Sequence, residues 1–489
     1  MKVLKFGGTS VATAENIQKV LSILKTASKK EPVVAVVSAL GGVTDSLQQL
    51  GELANAKDSV YKEKYQSLVA RHLDTASELG LTENSTKKLQ ELLSQLEHIL
   101  QGIYLINEFS DKTKDKVLGF GELLSSYIIS EALKGMVPSA TMKDSRELIV
   151  TNTFYPQAAV QWELTKEQIQ SYFSNNKAPI TILPGFVSRS VNGESTTLGR
   201  GGSDYTAALL AAALGASQLE IWTDVSGMYT ANPKIVPQAF PITQISYEEA
   251  MELSHFGAKV LYPPTIRPVL EKAIPIVIKN TFEPTAEGTI IIANPEEDRE
   301  PVRGISHLPD IALVTLEGTG MVGIPGFSKR LFEALSEKLI NVVLITQASS
   351  EHSICVAIQQ KDANKAAKSI HAAFAYEISL GKIDPVHIEK DLAIIAVIGD
   401  RMKSHQGISG KMFSALGKNN VNIRAITQGA SERNISAVIA AKDVRKALKT
   451  LHYRFFERQV KSVNLFIVGV GNVGKRLLAQ LKQQQQHLY

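Results

Sequence analysis

Cysteine is almost absent from this chain, Cys355 being the only one among 489 residues. That excludes an intramolecular disulfide framework and a cysteine-based zinc site, and it fits a reducing compartment. Cys355 lies in an alternating strand pattern and reads as a buried core thiol, not a nucleophile. Long apolar runs are missing as well. None reaches the roughly 20 residues that span a bilayer, and Met1-Lys2-Val3-Leu4-Lys5 enters a strand and glycine turn without a signal-peptide pattern. A soluble, cytoplasmic protein with no membrane partner is expected. A surplus of one charge is lacking too: the net charge is +5, with basic residues dispersed among acidic ones, which gives no case for nucleic acid. What remains is 44% hydrophobic and 21% charged, in a chain too long for one ordinary core. That describes a soluble globular protein of two or three domains.

What is present is a series of glycine turns at strand ends. Thr197-Leu198-Gly199-Arg200-Gly201-Gly202-Ser203-Asp204 follows an apolar strand-like run, 180–186, and opens into a helical run, 205–214. Three glycines let the backbone approach a ligand closely, Ser203 and Asp204 are N-cap types, and the free N–H groups of a first helical turn favour phosphate or carboxylate. Arg200 adds a planar fork for such an anion. The plain alternative is a glycine turn before a helix.

Lys5-Phe6-Gly7-Gly8-Thr9-Ser10 ends a short strand before a helical pattern over 14–27. It is a phosphate-binding arrangement but not a Walker A loop, because the lysine precedes the glycines. A solvated lysine is the bland alternative. The apolar run 32–40 predicts a parallel strand buried on both faces and ends in a second glycine junction that includes Thr44. Residues 51–107 carry Leu and Ile at three- and four-residue spacing, as a helical layer or lid would. Gly119-Phe120-Gly121-Glu122 opens a helix over 123–133 and puts a carboxylate in its first turn, where complementing the helix dipole would also suffice. A strand from 219 reaches Thr223-Asp224-Val225-Ser226-Gly227-Met228-Tyr229, followed by Asn232-Pro233-Lys234 and by Phe256-Gly257-Ala258-Lys259-Val260-Leu261-Tyr262-Pro263. Several polar strand ends fit the rule that open α/β sheets bind ligands beyond the carboxyl ends of their strands.

After a polar stretch at 294–301 the chain repeats itself. Residues 328–358 align without gaps on 409–439, an offset of 81 that matches Asn341 with Asn422 and Ile345-Thr346-Gln347 with Ile426-Thr427-Gln428. Each unit reads as strand, glycine loop, helix, strand, strand, helix, the order of a ferredoxin-like βαββαβ module, so two copies form a second lobe. The end of the chain holds an apolar strand pattern, 462–468, and then Gly469-Val470-Gly471-Asn472-Val473-Gly474. This is the G-x-G-x-x-G of a dinucleotide fold, but the acidic ribose ligand about 20 residues on is missing. The tail is expected to be the truncated first edge of such a domain, with neither NAD(P) binding nor dehydrogenase activity.

The glycine turn at Lys5, the loop 199–204 and the segments 223–229 and 256–263, in this order, make the chain resemble an aspartate kinase. The tail resembles the start of the homoserine dehydrogenase half of the bifunctional enzymes. The resemblance implies an amino acid kinase fold, a three-layer α/β/α domain with a mainly parallel sheet, for residues 1–295. It further implies tandem ACT domains over 303–461 and a dehydrogenase beginning at 462–489; a segment near Val460 would complete the first ACT unit. By the same carry-over, Lys5 stabilises the transferring phosphoryl group, with Gly7, Gly8 and Thr9 around the phosphates. Thr44, Glu122, Arg200 and Ser203 hold aspartate, and Asp204 organises Lys5. Thr223, Asp224, Tyr229, Lys234 and Lys259 line the nucleotide site. The usual Asp-Pro-Arg of the nucleotide loop is Asn232-Pro233-Lys234 here, which keeps the charge and loses the fork.

The implied substrates are Mg-ATP and L-aspartate, with no protein-bound metal. A carboxylate is already ionised at pH 7, so the chemistry asks for charge neutralisation and in-line positioning, not for a base. An amino-acid effector, threonine by association with the dehydrogenase, would bind near Gly323, Phe327, Asn341, Gln347, Asn422 and Gln428, whose amides both donate and accept. Assembly through the ACT lobe into a homo-oligomer is also implied. A different amino acid kinase, or a regulatory protein with an inactive kinase lobe, is the competing reading.

Overall fold

The protein is seen here in a computed structural model that describes residues 1–156, 158–256, 261–296, 300–347, 352–429, 433–457, 469 and 471–484. Two compact units divide it, Met1–Arg454 and Phe455–Tyr489.

The first unit begins with β1 (Lys2–Phe6), α1 (Ala14–Ser28) and β2 (Val33–Val37), followed by four helices in a row, α2 (Val43–Asn55), α3 (Val60–Glu78), α4 (Glu83–Ile106) and α5 (Asp111–Leu118). Next come α6 (Phe120–Lys134), β3 (Thr141–Met142), β4 (Val150–Thr151), α7 (Trp162–Asn175), β5 (Ile180–Pro184), β6 (Val187–Ser190) and β7 (Ser195–Thr197). The lobe closes with α8 (Gly202–Leu214), β8 (Gln218–Thr223), β9 (Gln244–Ser246), α9 (Tyr247–His255), α10 (Arg267–Glu271), β10 (Ile276–Asn280) and β11 (Thr289–Ile292).

Eight of these strands form one sheet in the order β3-β5-β2-β1-β8-β10-β11-β9. Only β10 and β11 run antiparallel. Every residue of β2 is buried, as expected of a parallel strand covered on both faces. On one face Val3 packs with α7 and α8; on the other Leu4 and Phe6 pack with α1, α2, α4 and α6. The alternation along β1 thus sends Val3 and Lys5 toward α8. Alanine lets α8 sit close to the sheet, and Ala207, Ala208 and Ala211 are fully buried.

Two local expectations are corrected. The helical layer starts at Val43, not 51, and is split into α2, α3 and α4. In α4, Leu89, Leu93, Leu96, Leu100 and Ile103 face the core at helical spacing, between a capping bond from Ser85 N–H to Thr82 and a left-handed Asn107. The run 180–186 does not lead straight into the glycine loop either. A hairpin, β6 and β7, stands between them and joins β4 in a small separate sheet. Its polar alternation (Ser188, Ser190, Thr196) carries no apolar signal, because these hydroxyls are buried and bonded to one another or to backbone.

The repeat forms the rest of the unit: β12 (Gly304–Glu317), α11 (Phe327–Ser336), β13 (Val342–Gln347), β14 (Ser353–Gln359), α12 (Ala363–Ala373), α13 (Ala375–Ser379), then β15 (His387–Ile398), α14 (Ile408–Lys418), β16 (Ile423–Gln428), β17 (Asn434–Ala440) and α15 (Val444–Phe456). The two copies share one sheet, β13-β14-β12-β15-β17-β16, joined through the long antiparallel pair β12 and β15. The offset of 81 recurs in the backbone: Asp310 and Asp391 take positive φ, as do Leu339 and Asn420. Among the described residues each copy supplies three strands to this sheet, not the four of a complete βαββαβ module, and the segment near Val460 lies outside the described residues. Cys355 on β14 is half-buried and accepts a 3.3 Å bond from Thr315, so the expected burial is incomplete.

The repeat lobe is fastened to the first lobe through α9. Ser246 and Glu249 form a capping box there, and both also bond Asp400. In the second unit α16 (Asn472–Gln484) begins within the glycine motif, and the strand expected at 462–468 lies outside the described residues.

Candidate active site

Five parallel strands end in register at one edge of the large sheet. Phe6 pairs with both Val37 and Trp222, Val37 with Pro184, and Asn280 with Thr223. The glycine turns seen in the sequence therefore meet in space, and a cavity of about 460 Å³ opens between them. Lys5, Gly8, Thr44, Glu122, Arg200, Ser203 and Asp204 all line it.

Lys5 is aimed by strand alternation at the start of α8, where its Nζ lies 2.6 Å from Asp204 Oδ1. Both side chains are more than four-fifths shielded from solvent, so water weakens this ion pair less than a surface one. The expected N-cap role of Ser203 and Asp204 is corrected: Gly201, at φ +71°, is the N-cap, and both residues lie inside the first turn. A left-handed cap suits glycine, and any Cβ there would come within 2.7 Å of the Tyr262 ring. Asp204 consequently faces the positive end of α8 as well as Lys5. Arg200, on the exposed rim, stacks its guanidinium 5.6 Å from the centre of the Tyr262 ring.

Glu122 is buried in the first turn of α6, with one oxygen, Oε2, lacking a hydrogen-bond partner. Gly121 makes that burial achievable, since a side chain there would begin 2.8 Å from Ala39 Cβ. Burial pushes the Glu122 carboxyl up to about 8, partly offset by backbone groups of Ala39 and Glu122 and by the charge of Lys5. An unpaired buried acceptor beside a cavity is a place where a ligand's ammonium gains most.

Asp115 was not foreseen in the sequence. It lines the same cavity and is 1% exposed. Burial pushes its carboxyl up to about 6, against two bonds from Thr197 that hold it down. It lies among Lys and Asp residues in α5, and nothing in that charged pattern separates it from solvated neighbours. Phe186 and Pro156 complete the wall and were also missed.

The other nucleotide candidates lie outside this cavity. Gly7 N–H donates to Trp222 O at 3.1 Å, beside Thr223 and Asp224 at the end of β8. Ser10 bonds Trp222 O and Thr281 Oγ1, and Thr9 O accepts from Asn16, so this turn is braced from two sides. Tyr229 is bridged to Pro241, and Lys234 N–H caps onto Asn232 Oδ1 at 3.0 Å, some way along that loop. Lys259 lies outside the described residues.

The effector candidates are all in the repeat lobe. Asn341, Gln347, Asn422 and Gln428 flank β13 and β16 and are exposed. Thr427 Oγ1 on β16 reaches Ile345 O on β13 at 3.5 Å. Gly323 lies in the loop before α11, and Phe327 opens that helix, buried and stacked on Phe374. Gln347 alone of the six lines a second cavity of about 340 Å³, with Thr315, Cys355, His387, Glu389 and Arg424.

Two cations, glycine turns at Gly8, 41–42 and 199–202, and three buried acidic side chains, Asp115, Glu122 and Asp204, in one cavity can hold a polyanion beside a small zwitterion. Comparisons with known proteins agree with that class. The amino acid kinase family profile matches residues 1–280, and the ACT domain profile matches 314–374 and 395–455. The chain is 37% identical over 491 residues to bifunctional aspartokinase/homoserine dehydrogenase 2, chloroplastic, of Arabidopsis thaliana, and 38% identical over 496 residues to the bifunctional enzyme of Haemophilus influenzae. Those alignments cover 99% and 100% of this chain but 53% and 60% of the relatives, so it spans little more than half their length. Escherichia coli aspartokinase III, solved in complex with aspartate and ADP and also with lysine and aspartate, superposes with a TM-score of 0.77 at 30% identity, covering 94% of this chain and all of that one. The chain belongs to the aspartokinases of the amino acid kinase family, and corresponds to the kinase and ACT part of the bifunctional enzymes.

The shifted carboxyl of Glu122 has a stability signature. Its ordinary value is 4.5 and its folded value about 8, so between those limits the folded state holds a proton that the unfolded state has lost. Stability therefore falls as pH rises through that window, by an amount on the order of a few kcal/mol. Urea midpoints of the ligand-free protein at pH 5.5 and 8 will show that fall, and Glu122→Gln will make it distinctly shallower; equal slopes in the two proteins would contradict the assignment.

Proposed function

We propose that this chain transfers the γ-phosphoryl group of Mg-ATP to the β-carboxylate of L-aspartate, giving 4-phospho-L-aspartate, the first step toward lysine, threonine and methionine. The observation that carries this reading is the Lys5–Asp204 ion pair, set between two glycine turns in a cavity that also holds Glu122 and Arg200. Lys5, with Gly7, Gly8 and Thr9 around the phosphates, offsets charge on the phosphoryl oxygens. Arg200 takes a substrate carboxylate, Glu122 receives the ammonium, and Thr44 and Ser203 bond what remains. Thr223, Asp224, Tyr229, Lys234 and Lys259 are assigned to the nucleotide. Mg²⁺ arrives as part of the nucleotide substrate; among the described residues no group of three or more His, Cys, Asp or Glu could hold a metal.

The organisation proposed is a catalytic domain at 1–295, tandem ACT domains at 303–461 and the start of a dehydrogenase domain at 462–489. A cytoplasmic setting and assembly through the ACT lobe belong to the same reading. For the effector, E. coli aspartokinase III was solved with lysine, whereas the bifunctional relatives join this part to a homoserine dehydrogenase. We assign threonine on that association, bound near Asn341, Gln347, Asn422 and Gln428, with Gly323 and Phe327 at the helix entrance.

Hydroxylamine trapping tests the reaction: the chain with Mg-ATP will form a hydroxamate with aspartate and none with asparagine, and Arg200→Ala will raise the KM for aspartate by about tenfold to a hundredfold. A chain that hydrolyses ATP without aspartate-dependent hydroxamate would refute it. Titrating threonine, lysine and methionine against that activity tests the effector. Inhibition by threonine alone is expected, and indifference to threonine would sink the assignment.

A further inference from the structure

The loop that carries Arg200 has little of its own to hold it. Gly199 and Gly201 both sit at positive φ, and Gly201 offers no side-chain cap to α8. Apart from the Tyr262 ring, which lies against Arg200 and Gly201, the position of the loop is therefore inherited from α8 on one side and from the end of β7 on the other. That end is Thr197, three residues before Arg200.

Thr197 is clamped by one carboxylate. Its N–H donates to Asp115 Oδ2 and its Oγ1 to Asp115 Oδ1, both at 2.8 Å. Both Asp115 oxygens are thus engaged by the same residue, in a site that is almost fully buried. Asp115 belongs to α5, which passes through Gly119 into α6, whose first turn carries Glu122. The junction is close-packed: a Cβ on Gly119 would lie 3.0 Å from Val187 on β6. The far end of the hairpin is also tied to α5, by the ion pair between Lys112 and Glu194.

We propose that Asp115 is a positioning residue for substrate recognition, which fixes the Arg200 loop relative to Glu122 without itself contacting the substrate. This rests on the proposed function, in which those two side chains take opposite charges of one amino acid. The carboxylate's charge matters: asparagine would keep one acceptor, and its N–H₂ would meet Thr197 Oγ1 only if that hydroxyl left Asp115 and turned its proton to Pro156 O, 3.2 Å away, so the charge-assisted bonds of the clamp would be lost. The nucleotide candidates around Thr223 and Tyr229 have no part in this clamp.

The test uses the full chain and four proteins: wild type, Asp115→Asn, Thr197→Val and the double variant. Asp115→Asn should raise the KM for aspartate by about tenfold to a hundredfold while the KM for ATP stays within about twofold. Thr197→Val, which removes only Oγ1, should raise it less, and the double variant should be no worse than Asp115→Asn, as coupled residues behave. Amide exchange supplies a readout that needs no aspartate: residues 197–201 should exchange faster in Asp115→Asn while α8 stays protected. Unchanged aspartate KM with unchanged exchange overturns the inference, and so do additive effects or equal losses for both substrates. A wild type that turns over no aspartate, in which the exchange difference is nonetheless seen, would overturn the proposed function and leave the clamp standing.

Discussion

The ion pair between Lys5 and Asp204 is the contact on which the site depends. One partner comes from the first strand of the chain and the other from a helix two hundred residues later, 2.6 Å apart. They meet because β1 lies at the centre of the sheet with its odd residues turned toward α8, and because alanines bring α8 down onto the strands. Two buried charges left single would be costly; paired, they give a cation of fixed position at the mouth of a helix dipole. Glycine turns on either side add backbone N–H groups without side chains to bar a polyanion. The same geometry leaves Glu122 buried and incompletely bonded, a group that a cationic ligand would complete.

Around this centre the lobe has two sides. The cavity and the elements that shape it, α2, α5, α6, the β6–β7 hairpin and the first turn of α8, form one side. The ends of β8 and β10, with the loop carrying Tyr229 and Lys234, form the other. The repeat lobe meets this lobe at β9, α9 and the loop after β8: Ile305 and His452 reach Thr230, Arg303 reaches Gln244, Asp400 reaches Ser246 and Glu249, Asn434 reaches Glu252, and Ser306 reaches Phe256.

Much of this was legible in the sequence, for identifiable reasons. Lys5, Gly8, Thr44, Glu122, Arg200, Ser203 and Asp204 were found because each sits in or beside a glycine turn at a strand or helix boundary, where local sequence dictates backbone shape. The repeat was visible because 328–358 and 409–439 match without gaps at an offset of 81, and the structure extends that offset to the positive φ of Asp310 and Asp391. What escaped notice depends on contacts between distant segments. One face of the hairpin β6–β7 is polar yet buried, because the hydroxyls of Ser188 and Thr196 satisfy one another, and hydrophobic periodicity cannot register that. Asp115 looks like any charge on a surface helix until Thr197, 82 positions away, is placed against it. The N-cap of α8 was misassigned because Ser203 and Asp204 are good caps, whereas the fold uses the left-handed Gly201 and frees Asp204 for Lys5.

The central claim is that this pair acts by electrostatic organisation and that no group removes a proton from the nucleophile, since a carboxylate is already ionised. The pH dependence of kcat for wild type and Asp204→Asn, under saturating Mg-ATP and aspartate, tests it most directly. The account predicts a loss of about a hundredfold in kcat at every pH, with the shape of the profile unchanged. A wild-type profile whose acidic limb, the fall in kcat at low pH, vanishes in Asp204→Asn would identify Asp204 as a base and contradict it.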